Sequence, residues 1–163
     1  MTRIRNLFIA AAFALTGAAA AHAGDANMTK EAGPYEVALH VLPAEPFHTQ
    51  AEVDSGKATK GMLAVAGADP VQPDAANHHL IVHVSDKGTD KPVTDATVMM
   101  TYERVGENGE MTGTPQDVPV VNMQVIGKGA ASTHYGNNVT MSPGHYSVSV
   151  VVNGYPATFD VSI

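Results

Sequence analysis

Short runs of strict alternation, closed by Gly, Pro and Asp, constrain this chain more than any other feature. Residues 35–42 (Tyr-Glu-Val-Ala-Leu-His-Val-Leu) alternate with period two and break at Pro43 and Pro46. Residues 79–85 repeat the pattern, with Leu80, Val82 and Val84 on one face. The cluster 86–92 is rich in turn residues, and further β-rich runs follow at 96–105, 118–125, 138–141, 145–153 and 155–163. Residues 62–66 suit a short edge strand. No stretch beyond the N-terminal segment shows a capped helical period. About seven to nine short strands at such intervals predict an all-β, Ig-like antiparallel β-sandwich. Pro143-Gly144-His145-Tyr146 supports this expectation, because a Tyr at the start of a strand after a Gly turn matches the tyrosine corner of Greek-key sandwiches. In that geometry Tyr146, Val148 and Val150 point inward and His145 points out.

The first residues read as an address. Arg3 and Arg5 precede an apolar run over 7–21, closed by Ala21-His22-Ala23. We expect a signal peptide over 1–23 cleaved after Ala23, a periplasmic destination, and a single β-sandwich metal-binding domain over 24–163. The chain has 16 acidic against 9 basic residues, which argues against a nucleic-acid partner. It has no Cys, so disulfide staples and thiolate metal sites are excluded. It does have 8 His and 8 Met, of which His22 and Met1 fall in the leader. Imidazole is the commonest side-chain ligand for Cu, Zn, Fe and Ni, and thioether sulfur adds a preference for Cu(I).

Strand geometry limits which of these side chains can share an ion. His79 and His83 lie on one face of a strand but about 13 Å apart, at roughly 3.3 Å per residue. One ion with nitrogen ligands near 2 Å cannot be held by both on a regular strand, so each needs partners from neighbouring strands. His78 points with Leu80 to the opposite face unless a bulge turns it. Met123, His134 and His145, near strand ends or turns, are candidates to complete a site. His40 is a further candidate, while Glu36 or Glu45 would suit an iron site with oxygen ligands. Met123 has a plainer alternative role as packing in an apolar strand. Met99 and Met100 are assigned to packing, and His48 to the surface. None of the zincin, hydrolase, phosphate-loop or dinucleotide motifs occurs, so an enzyme is not expected.

The segment Thr133-His134-Tyr135-Gly136-Asn137-Asn138-Val139-Thr140-Met141 resembles the His-Tyr-Gly-x-Asn-hydrophobic signature of the periplasmic high-affinity iron-transport proteins that also bind copper. Residues 36–46 resemble that family's first strand and its Pro-containing exit, and 78–84 sit where it carries a strand with two spaced His. The stretch 86–98 and the closing strands resemble YtkA-like sandwich domains. The chain departs from the family in several places. An alignment on His83 sets Asn77 at the first His and His79 at a Glu, and a longer C-terminal loop with its own His is missing. The resemblance implies a copper ion, with iron as the alternative cargo, held by His134, Met123 and a strand His (His79, His83 or a shifted His78). A further His nearby would serve as a second ligand or for a second ion. It also implies an inner-membrane iron or copper permease as partner, and a homodimer. The reading from a different class is a metal-independent sandwich module that serves as an accessory of an exported complex.

Overall fold

A computed structural model describes residues 28–163, and the expected signal peptide lies outside the described residues. The described residues form eleven strands in two sheets. In chain order they are β1 (Met28–Ala32), β2 (Tyr35–Pro43), β3 (Phe47–His48), β4 (Met62–Gly67), β5 (His78–Asp86), β6 (Val98–Val105), β7 (Gln116–Val118), β8 (Val121–Val125), β9 (His134–Val139), β10 (His145–Val152) and β11 (Tyr155–Ser162). The larger sheet runs β1-β2-β5-β9-β8-β4-β3, and the smaller runs β11-β10-β6-β7.

The alternation read from the sequence is what splits the strands into faces. Val37, Leu39 and Val41 of β2, Leu80, Val82 and Val84 of β5, and Tyr135 of β9 form one buried cluster. The same cluster takes Met100 of β6, Val148 and Val150 of β10, and Phe159 of β11. Both sheets therefore share one apolar core. Tyr146 is buried, and its hydroxyl donates to the Ser142 carbonyl at 2.8 Å, the hydrogen bond that a tyrosine corner makes. His145 beside it is exposed.

Besides the unmarked strands β1 and β3 and the early start of β9, three features depart from the expectations. The run 118–125 is not one strand: β7 ends at Val118 in the smaller sheet and β8 begins at Val121 in the larger one. Pro119, with no N–H to give to a ladder, sits at the crossing. The β3–β4 pair is parallel, whereas an antiparallel arrangement was expected throughout. A five-residue helix, α1 (Gln50–Asp54), was not anticipated. It is too short to show a period, and its signal is the capping box: the Thr49 hydroxyl accepts from the Glu52 N–H while the Glu52 carboxylate accepts from the Thr49 N–H.

Candidate metal centre

The second face of the larger sheet carries the histidines. With Leu80 and Val82 turned to the shared core, His79, Ile81 and His83 of β5 face the other way. There Ile81 packs with Phe47, Met62, Val121 and Met123 in a second, smaller apolar cluster. Strand β9 pairs with β5 so that His79 lies opposite Asn138 and Ile81 opposite Gly136. One step beyond the last paired residues, Val82 and Tyr135, the same register sets His83 against His134. On the other side of β9, His134 lies directly opposite Met123 of β8. His40 of β2 lies opposite Ile81, which makes it the diagonal neighbour of His83.

Gly136 permits this closeness. Its φ is +151°, and a Cβ there would fall on the Leu80 carbonyl oxygen. Any other residue would push β9 away from β5. With glycine in place, the His83 and His134 ring centroids are 4.9 Å apart, those of His79 and His134 6.3 Å, and those of His40 and His83 5.5 Å. Imidazoles bound to one ion through nitrogens at about 2 Å hold their centroids roughly 5 to 6 Å apart. His134 thus stands at about that separation from His83 and slightly beyond it from His79, the two histidines that the strand rise keeps from meeting each other.

The tautomers follow from the hydrogen bonds. Asn138 is oriented by its amide NH2, which donates to the Glu45 and Val71 carbonyls, each at 2.7 Å. Its Oδ1 is therefore the atom 2.8 Å from His79 Nδ1, and that nitrogen must carry the proton. His134 Nδ1 lies 2.7 Å from the Ser132 carbonyl, which can only accept, so it too is protonated. In each neutral ring Nε2 is left with a lone pair. Both Nε2 atoms are buried without a hydrogen-bond partner, and among the described residues the only other such side-chain atom is Asn122 Oδ1. An unsatisfied buried acceptor costs about 1–3 kcal/mol. An imidazole that donates one N–H to a carbonyl or amide oxygen and turns a bare nitrogen inward is the arrangement in which histidine binds metals.

Electrostatics keep the rings neutral. Burial, followed by the neighbouring His83, lowers the His134 pKa to about 4. Burial also lowers His79, against the opposing effect of its bond to Asn138. His83 is lowered by burial and then by His40, opposed by a backbone hydrogen bond with Thr133. The charges acting on His134 are those of His83, His79 and His40, with no carboxylate among them.

The structure brings together His134, His79, His83, His40 and Met123 of the candidates. It does not bring in the side chains of the other four. His78 takes the Leu80 face at the start of β5, with Nδ1 2.8 Å from Asn77 Oδ1. His145 is in the smaller sheet, with Nδ1 2.9 Å from Ser162 Oγ. Glu36 is exposed and lies opposite Ser85, beyond the histidines. Glu45 contributes its backbone, which Asn138 holds through both N–H and carbonyl.

Sequence reasoning passed over Asn138 and Phe47, whose ring meets His79 edge-on at a centroid distance of 5.6 Å. The signal for Asn138 was there: Asn137 and Asn138 adjoin inside a β run, where Asn is disfavoured unless its side chain has partners to satisfy. Among the described residues, no three or more His, Cys, Asp or Glu side chains stand together as a ready-made metal cage. An ion here would draw on paired imidazoles and a thioether. Comparison with protein-family models, curated proteins and solved structures finds no match to this chain.

Proposed function

We propose that this protein is an exported transition-metal carrier that holds copper at His134. The observation that carries this reading is the pair of buried Nε2 lone pairs on His79 and His134, each fixed in its tautomer by a bond at Nδ1. Burial of two such acceptors without a partner is unfavourable in the bare protein and favourable once an ion accepts their electrons. His83, 4.9 Å away by ring centroids, and Met123, opposite His134 across the ladder, supply the further donors. A set of imidazoles and thioether without carboxylate favours copper, above all Cu(I), over iron.

The same reading takes the fold to be an Ig-like sandwich, supported by the core common to both sheets and by the Tyr146 corner. It takes the leader to direct export with cleavage after Ala23, and an inner-membrane permease to receive the ion. Anaerobic titration with Cu(I) against a competing chelator, in parallel with Cu(II) and Fe(II), tests it. A tight Cu(I) equivalent is expected, and His134→Ala should abolish it. A wild-type protein that takes no stoichiometric copper, or a variant that binds as tightly, overturns the reading.

A further inference from the structure

Four metal-donor side chains stand in a row across four neighbouring strands: His40 on β2, His83 on β5, His134 on β9 and Met123 on β8. Their burial is graded. His40 and His83 are half-buried, His134 is 2% exposed and Met123 is fully buried. Their chemistry is graded too, from imidazole at the accessible end to soft thioether sulfur at the closed end. His83 is the only member with an imidazole on each side, at centroid distances of 5.5 Å to His40 and 4.9 Å to His134. Both distances suit two rings on one ion.

We infer that His40 and His83 form a second, outer metal position, through which the ion reaches the buried position at His134. The inference rests on the metal-carrier reading above and adds to it a site and a route. An ion that moves inward keeps its bond to His83 while it exchanges the His40 nitrogen for that of His134, and then exchanges His83 for His79 or Met123, which frees the single lone pair of His83 for a second ion at the outer position. At each exchange one metal–ligand bond breaks as another forms, and neither oxidation state nor proton count changes. The shared ligand also explains how a site roofed by Phe47 and held shut by Asn138 can be filled: the entry lies along the sheet, from the β2 side, and not through the roof.

Cu(I) is the probe, delivered from a coloured chelator without oxygen. Native mass spectrometry should show two equivalents on the wild-type chain and one on His40→Asn. Stopped-flow loading of the remaining equivalent should slow about fivefold or more in the variant, with its affinity changed less than about twofold. In the unsubstituted chain, carbethoxylation of His40 should fall as the second equivalent binds, a reading that does not depend on how the variant folds. Two equivalents on His40→Asn, a wild-type loading rate, or undiminished carbethoxylation each overturn the inference. If His134→Ala loses the buried equivalent while His40→Asn changes nothing, the outer position fails and the carrier reading stands. If the wild-type chain takes no copper, both fail.

Discussion

On one face of the larger sheet, strands β5 and β9 set Leu80, Val82 and Tyr135 into the core shared with the smaller sheet. On the other face the same two strands set His79, His83, His134 and Asn138. Burial is nearly as deep on the second face, since His79 is 0% and Asn138 1% exposed. The difference is in what burial achieves. Apolar side chains removed from water contribute about 25 cal/mol per Å2 to stability. Imidazoles removed from water lose hydration and recover only part of it through Nδ1, while Nε2 stays unmatched. One face holds the protein together, and the other spends part of that stability on pre-positioned donors.

Substitution on the first face should give the largest effect. Phe159, fully buried between the sheets, when changed to Ala should lower unfolding free energy by about 3–5 kcal/mol. Denaturant titration measures this. Copper bound per folded molecule should be unchanged, and a parallel loss of affinity would break the separation between the two faces.

A smaller effect should come from acid, and chiefly from the second face. In the unfolded chain His134 takes up a proton near 6.5, but in the folded protein only near 4. Between those values the unfolded state binds more protons, so the metal-free protein is at full stability above 6.5 and loses it as the pH falls towards 4. At about 1.4 kcal/mol per pH unit the total is of order 3 kcal/mol. Denaturation midpoints at a series of pH values should show that slope, and His134→Leu should reduce it to the part that His79 and His83 contribute. An unchanged slope in the variant would place the acid sensitivity elsewhere.

The smallest effect sharpens where the second face ends. Helix α1 follows Phe47 in the chain, but its own residues are half-buried or exposed. Thr49→Ala removes the cap and should cost about 1 kcal/mol. Copper affinity should not move, because Phe47 is tied separately: the Gln72 side chain accepts from its N–H and donates to its carbonyl. A drop in affinity would extend the centre to the helix.

The long alternating strands β2, β5, β10 and β11 were legible because a period of two is a local property, visible in one strand without its neighbours. Strand β9 was not. His-Tyr-Gly-Asn-Asn-Val holds a glycine and two asparagines, poor strand formers by composition, so the sequence marks a run only from 138. It is a strand because β5 and β8 pair with both its edges and because the asparagine amides find carbonyls at Glu45, Asp69, Val71 and Pro119. The candidate centre was half legible for the same reason. Spacing along β5 says only that His79 and His83 share a face and stand apart, while strand order β2-β5-β9-β8 is what sets His134 between them and His40 beside His83. No pattern within a single segment carries that information.

Asn138 joins two stretches of chain that are distant in sequence: it receives the Glu45 N–H and gives its own two protons to Glu45 and Val71. Its neighbour Asn137 receives the Val71 N–H. Neither stretch can lift from the sheet while these amides stay in place, and both come free only when the adjacent Asn137 and Asn138 side chains turn together. The Glu45 and Val71 amide protons should therefore trade with deuterium at one common rate, twenty-odd residues apart, as a single opening event. In the metal carrier proposed above, that rate would time the opening of the sheet over its ion.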